Sequence, residues 1–355
     1  MQTNIFGYDV AALKNAFQAI EGCQSYRAEQ VARWMYQRNA TAFEEMTDLG
    51  KELRQRMASV FVIQRAVIIN EQHSQRGDTS KYLLAFADGM AVETVVMRHR
   101  YGNSVCVSTQ VGCAMGCRFC ASTLNGVSRS LTTGEILDQV LFADALLKVS
   151  GQGVNSIVVM GSGEPMANYQ AVVDFIRLCH APYCLNLSLR SVAVSTVGLV
   201  PGIDRLAAEG MPLTLSISLH AADDVTRSRL MPMNDTYPIR EVVEAGRRYA
   251  TATGRRVTYE YTLIDGINDR EFDALNLSRL LKGQLCHINL IPVNPVPEQG
   301  MTPPDAKHVQ RFADWLEAQG LSVTLRREMG GDIKAACGQL RKRHLEGREA
   351  EGTGE

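Results

Sequence analysis

Three cysteines lie within eight residues, Cys113-Ala-Met-Gly-Cys117-Arg-Phe-Cys120, spaced C-x3-C-x2-C with no fourth cysteine at a close interval. A structural zinc site takes four protein ligands, commonly as two paired knuckles. An iron–sulfur cube held by protein alone takes four thiolates. Three thiolates on one loop suit a cube with one iron left open. Such an iron is Lewis-acidic and can take a small chelating substrate, for example the amino and carboxylate groups of a methionine. The chemistry this points to is reductive cleavage of S-adenosylmethionine (SAM). The same spacing could also belong to a zinc loop or to three buried thiols.

Further residues could serve such a site. Met160-Gly161-Ser162-Gly163-Glu164-Pro165 offers glycines that let a backbone approach a ligand and a carboxylate that can accept hydrogen bonds from an ammonium group. Ser195 opens the stretch Ser195-Thr196-Val197-Gly198, and Ile291-Pro292-Val293-Asn294-Pro295 ends another apolar run in a polar residue. Ser218 and His220, two apart, share a face if the strand continues through them. Cys106 precedes the three-cysteine loop by seven residues. Cys337 sits among Arg326, Arg327, Lys334, Arg341, Lys342 and Arg343. Cationic neighbours raise the thiolate fraction of a cysteine, and they also make a footprint for RNA phosphates. Cys23, Cys179, Cys184 and Cys286 read as inert small hydrophobes.

These stretches need a scaffold that brings them together. The chain has 355 residues, 45% hydrophobic and 21% charged, which accommodates one large domain and a small one. Nine cysteines scattered over that length do not form a secreted disulfide framework. The start, Met1-Gln2-Thr3-Asn4-Ile5-Phe6, lacks a basic segment followed by an apolar run, and no stretch is apolar enough to span a membrane. The expectation is a cytoplasmic protein without a membrane partner. A net charge of −1 gives no global argument for nucleic acid, so the case for RNA rests on the local cations around Cys337.

Residues 1–65 read as a small helical domain. Apolar spacing predicts helices over Tyr8–Ile20, Ala28–Arg38 and Met46–Met57, with Ser25 as N-cap of the second and Trp34 in its core. Residues 66–103 read as a short β extension, with strands at Ala66–Ile69, Lys81–Phe86 and Ala91–Met97 and a turn at Asp88-Gly89. From 104 to 345 strand and helix alternate. Strands are expected at Ser104–Ser108, Ser156–Met160, Ser191–Ser195, Leu213–Ser218, Val257–Leu263 and His287–Pro292. Helices are expected at Thr133–Val149, Ala171–Cys179, Ile203–Glu209, Ile239–Thr253, Glu271–Leu281 and Ala306–Gln319. Six such units predict an α/β fold, a partial (β/α)6 TIM-like barrel whose ligands bind at the carboxyl ends of the strands. The cysteine loop follows the first of these strands, at that rim. Residues 346–355 read as a disordered polar tail.

Together, the Cys113/Cys117/Cys120 loop with Phe119, Met-Gly-Ser-Gly-Glu-Pro at 160–165, Ser-Leu-His-Ala at 218–221, Ile-Pro-Val-Asn-Pro at 291–295 and Ala-Ala-Cys-Gly-Gln-Leu at 335–340 resemble the RlmN family. These are radical SAM enzymes that methylate C2 of adenosine in RNA, and the resemblance covers nearly the whole chain. The related Cfr family methylates C8. Pro165 after Glu164 is similar to the C2 family. Ser162 stands where that family more often has methionine.

The resemblance implies one [4Fe–4S] cluster per chain on Cys113, Cys117 and Cys120. It implies SAM on the open iron, with contacts from Gly163, Glu164, Ser195, Ser218, His220 and Asn294. It further implies that Cys337 is methylated first and carries the group as an S-methylcysteine. Glu93 would accept the C2 proton, and Cys106 would then resolve the adduct through a transient disulfide with Cys337. By the residues alone Glu93 reads as an exposed strand carboxylate, so its role rests on the resemblance. The implied partners are 23S ribosomal RNA, transfer RNA and an electron donor such as flavodoxin, the enzyme acting as a monomer. A C8 methyltransferase of the same architecture, or a non-catalytic metal-containing RNA-binding module, are the alternative readings.

Overall fold

Ten strands form one sheet in the computed structural model, which describes residues 2–296 and 299–326 together with Ile333. The chain begins with β1 (Thr3–Asn4), α1 (Val10–Ala16), α2 (Arg27–Tyr36), α3 (Lys51–Val60) and β2 (Phe61–Val62), and β1 pairs in parallel with β2. Leu13, Phe17, Val31, Met35, Tyr36 and Met57 make the core of this helical segment, continuous with the main core. Ser25 is not the N-cap of α2. Tyr26 already has helical dihedrals, φ −67° and ψ −20°, so the turn starts beyond Ser25, which contributes only its carbonyl to Ala28 N–H. Trp34 is half-buried, with its indole N–H donating to Asp48 at 2.6 Å and the Arg38 guanidinium over its ring.

Next come β3 (Val67–His73), β4 (Thr79–Ala85) and β5 (Ala91–His99), an antiparallel meander that runs into β6 (Gly102–Cys106). A small hairpin of β7 (Gln110–Gly112) and β8 (Val127–Ser130) brackets the three-cysteine loop and was not expected from the sequence. Then follow α4 (Thr133–Lys148), β9 (Val154–Val159), α5 (Tyr169–His180), β10 (Val192–Thr196), α6 (Val200–Ala208) and β11 (Thr214–Ser218). The rest is α7 (Asp224–Leu230), α8 (Ile239–Thr253), β12 (Val257–Leu263), α9 (Glu271–Leu281), β13 (Cys286–Pro292), α10 (Ala306–Ala318) and β14 (Val323–Leu325).

Strands β6, β9, β10, β11, β12, β13 and β14 are mutually parallel neighbours in that order, which is the expected set of six strand–helix units plus one further strand. The sheet is open at β14 and β3, so the barrel is partial. β14 is three residues long, too short to carry a periodic signal. Helix α4 starts where it does because Thr132 and Glu135 form a capping box.

Alternation along the parallel strands sorts the two faces. Ile157, Val159, Val192, Val194, Leu215, Ile217, Tyr259 and Ile288 are buried against the covering helices. Their neighbours Ser156, Ser195, Ser216, Ser218, Thr258, Glu260 and Asn289 fall on the opposite, concave face. Such a polar row is not a second core. It is the inner surface on which a ligand can be held.

Candidate active site

The cysteine loop is pinned to the rim by backbone bonds. Cys113 N–H donates to Gly126 O at 2.9 Å, Cys120 N–H to Cys117 O at 3.1 Å, and Arg118 N–H to Leu230 O at 2.9 Å. The Thr123 hydroxyl donates to the carbonyls of Cys117 and Cys120. Cys117 packs with Leu230 at the end of α7 and with Met231, Ile264 and Val293, which directly follow α7, β12 and β13, so the loop closes over the carboxyl ends of the strands as expected. Phe119 stands edge-on to His220, ring centroids 4.7 Å apart.

Burial pushes the Cys113 thiol up, partly offset by the backbone N–H groups of Met115 and Gly163, which favour its thiolate. Burial pushes Cys117 up further, with Cys120 and Cys113 adding to the shift and the cationic Arg227 opposing it. The three sulfurs therefore feel one another. Among the described residues no three His, Cys, Asp or Glu side chains converge closely enough to chelate a single ion. A cube asks for less convergence, because each thiolate binds its own iron at a separate corner, so this donor set fits a [4Fe–4S] group.

The loop after β9 is stitched to the strand that leads into the cysteines. Gly161 N–H donates to Val107 O, Ser162 N–H to Ser108 Oγ at 3.0 Å, and Glu164 N–H to Gln110 Oε1 at 2.9 Å. Gly163 has φ +106°, and a Cβ there would lie 2.7 Å from Gln110 N. Only glycine fits this passage. Glu164 is buried; one carboxylate oxygen accepts Met166 N–H at 3.0 Å and the other Val197 N–H at 2.9 Å. Burial raises it to about 7 despite those donors. A carboxylate has about four acceptor positions, so room remains for an ammonium group, whose arrival would favour the ionised form. The hydroxyls of Ser162 and Thr109 are buried and find no hydrogen-bond partner among the described residues, a polar surface ready for a ligand.

Replacing Gly163 by Ala should lower the unfolding free energy by about 1–3 kcal/mol from backbone strain and contact, and weaken SAM binding more than tenfold. Urea denaturation and equilibrium dialysis check this; an unchanged midpoint would mean that the neighbouring strand yields.

Ser195 and Ser216 sit opposite each other on β10 and β11, and Ser218 ends β11 opposite Glu260. Asn294 is exposed just past β13. His220 departs from expectation: the strand ends at Ser218, and His220 has φ +56°, so the two do not share a strand face by simple alternation. Its Nδ1 accepts Thr262 N–H at 2.9 Å, which assigns the proton to Nε2. Burial, then Arg227, lowers its pKa to about 3, so His220 stays neutral.

Glu93 also departs from expectation. It is buried rather than exposed, and Lys81 Nζ, itself fully buried, lies 3.1 Å from its carboxylate. Val95 of β5 faces Cys106 of β6 in register, so Glu93 and Cys106 are diagonal neighbours on one face of the sheet. Cys106 ends its strand, buried, beside Val158. Cys337 and the cations Arg327, Lys334, Arg341, Lys342 and Arg343 lie outside the described residues.

Several contributors carry no motif. Ser108 Oγ donates to Glu93 O at 2.8 Å, and Gln139 of α4 holds both the N–H and the carbonyl of Ser108. Arg227, fully buried and lowered by burial to about 10, donates to the carbonyls of Val197, Ser218, Leu219 and Tyr237 and to Asn234. It clamps the ends of β10 and β11. Glu260, raised by burial, accepts from Asn289 at 2.7 Å on the concave face. A polar residue inside an apolar strand was the one signal in the sequence for Glu260.

Residues 107–276 match the radical SAM superfamily, and residues 3–63 match the ribosomal RNA large subunit methyltransferase N-terminal domain. The chain is 52% identical, over 91% of its length and 87% of the relative's, to a probable dual-specificity RNA methyltransferase RlmN of Pelotomaculum thermopropionicum. It is 44% identical to the protein of the same name from Clostridium acetobutylicum, over 98% of this chain and 99% of that one. The crystal structure of a radical SAM methyltransferase from Sphaerobacter thermophilus superposes with a TM-score of 0.91 at 43% identity, covering 95% of this chain and 98% of the other.

Proposed function

The chain belongs to the RlmN family of dual-specificity RNA methyltransferases, within the radical SAM superfamily, and on that premise we propose that it methylates C2 of adenosine in RNA through an S-methylcysteine on Cys337. The substrates of this reading are 23S ribosomal RNA at the peptidyl-transferase centre and transfer RNA next to the anticodon. The enzyme works as a cytoplasmic monomer and draws electrons from a flavodoxin-type donor. No helix among the described residues is long and apolar enough to cross a membrane.

Cys113, Cys117 and Cys120 hold the [4Fe–4S] cluster, and Gly163, Glu164, Ser195, Ser218, His220 and Asn294 line the SAM site. When bound, cluster and SAM supply a one-electron cleavage that yields a 5′-deoxyadenosyl radical able to take hydrogen from a methyl group. Glu164, with two acceptor positions already filled by backbone N–H, receives the amino group of SAM and orients it. Cys337 carries the methyl group as a thioether and brings its carbon to C2. Glu93 takes the C2 proton. Cys106, as thiolate, attacks the sulfur of Cys337; a sulfur–sulfur bond forms, the sulfur–methylene bond breaks, its electron pair leaves with the carbon, and a proton from solvent completes the methyl group, while the one electron left over from radical addition would return to the bound cluster.

The observation that carries this reading is the placement of Glu93 and Cys106 as diagonal neighbours on one sheet face, at the strand that leads into the cysteine loop. An ordinary methyltransferase has no use for a buried base beside a second thiol. The test is anaerobic reconstitution with a 23S rRNA fragment and, separately, a transfer RNA, followed by mass spectrometry of the digested nucleosides. The expected product is 2-methyladenosine from both. 8-Methyladenosine would place the chain with C8 chemistry, and SAM cleavage without a methylated nucleoside would sink the reading.

A further inference from the structure

Lys81 is the least expected charge in the molecule. Its side chain is 0% exposed, and its ammonium meets the Glu93 carboxylate at 3.1 Å. The antiparallel register explains the encounter. Lys81 lies opposite Val95, and Leu83 opposite Glu93, so the lysine reaches Glu93 along the diagonal. Leu83, Ala85 and Ala91 form a small buried apolar cluster beside the pair. The same transverse row continues from Lys81 through Val95 to Cys106. The ammonium therefore stands on one side of Val95 and the thiol on the other.

We propose that Lys81 is the positioning residue of the proton-removal step: its ammonium pairs with the Glu93 carboxylate and fixes its orientation until the C2 proton arrives. This rests on the reading of Glu93 as the base. A carboxylate in an apolar pocket favours its neutral form, which cannot accept a proton, whereas an adjacent cation favours the charged form. Proton capture converts Glu93 to a neutral acid while Lys81 keeps its own proton, so no proton passes between the two. Lys81 needs no contact with RNA or SAM to act.

Strand register turns Lys81 of β4 and Cys106 of β6 towards Glu93. β3 brings Gln72 opposite Lys81, β7 carries Gln110, and β9 brings Val158 beside Cys106, all neutral. Of the two groups that act late in the reaction, the Glu93 carboxylate is the one the ammonium touches, at 3.1 Å. Removing a cation from beside a carboxylate favours the neutral acid, so loss of Lys81 should move adduct resolution towards higher pH.

The experiment follows the covalent protein–RNA adduct through a single turnover on denaturing gels, from pH 6 to pH 9, in full-length reconstituted enzyme. Lys81→Met should still form the adduct, which itself reports a folded, SAM-competent protein. Its resolution should be slower by at least about tenfold at pH 7 and recover towards pH 9. Lys81→Arg, which keeps the charge, should restore most of the wild-type profile. Glu93→Gln should stall at every pH. Should Lys81→Met be insoluble, Lys81→Gln carries the same expectation. A wild-type profile in the Lys81→Met or Lys81→Gln enzyme while Glu93→Gln stalls overturns the role of Lys81. Full resolution by Glu93→Gln overturns the base assignment instead, so the two failures are distinct.

Discussion

Cys106→Ala protein, supplied with SAM, reductant and RNA, should accumulate a covalent protein–RNA species that runs as a shifted band on a denaturing gel; Cys337→Ala should form none. The difference follows from the two roles. In the proposed mechanism Cys337 accepts the methyl group and bonds to the base, so without its sulfur nothing should be attached. Cys106, in the same proposal, only breaks the later bond. Its position at the end of β6, buried and one diagonal step from Glu93, suits a thiol that acts after the proton has left. Its alanine variant should methylate Cys337 and add to adenine, then stop below one turnover per chain. The double variant should show no band. An adduct in Cys337→Ala, or full turnover by Cys106→Ala, would mean that the roles are reversed or wrong.

Cys117→Ala should lose most of the cluster and, with it, SAM cleavage. Anaerobically reconstituted wild-type protein should carry about four irons per chain, the content of one cube, and the variant should lose most of them. Of the three ligands Cys117 is deepest in the rim, packed on Leu230, Met231, Ile264 and Val293. Alanine there removes a ligand and leaves the apolar contacts nearly intact, so circular dichroism and the urea midpoint should change little. The fall in SAM cleavage should exceed the roughly 10–100-fold typical when only an outer partner of a metal ligand is lost. One zinc per chain in the wild type, with no iron after reconstitution, would refute the assignment.

The parts of the site that were legible in the sequence are local. Cys113, Cys117 and Cys120 sit on one loop, and the spacing of ligands on a loop is itself most of their geometry. The same holds for Gly163-Glu164, where a positive φ and a close approach demand a glycine. Helices Ile239–Thr253 and Glu271–Leu281 and the strand Val257–Leu263 run between the residues their patterns predicted, because each buries one regular face against a neighbour. Short elements escaped. β7, β8 and β14 have three or four residues each, and α7 has seven, too few to establish a period.

Glu93 shows where local reading stops. Ala91-Val92-Glu93-Thr94-Val95-Val96-Met97 alternates well enough to predict a strand, and a lone carboxylate in such a strand normally points to water. What it meets depends on register. The Asp88-Gly89 turn sets β4 against β5 so that Lys81 reaches Glu93, and the next hairpin sets Cys106 opposite Val95. A shift of one residue in either pairing would send these side chains to the other face. His220 likewise needed the tertiary structure, because its left-handed backbone follows from strand β11 ending against Glu260 and Thr262 of β12. By itself, the sequence determined the chemistry on offer: three thiolates for a cube with an open iron, a glycine-lined carboxylate, and an α/β barrel to hold them at one rim. Only the tertiary structure decided which charges are paired in the dark. A buried carboxylate, its lysine and its thiol come from three different strands, and their meeting is a property of strand order and register that no one strand encodes.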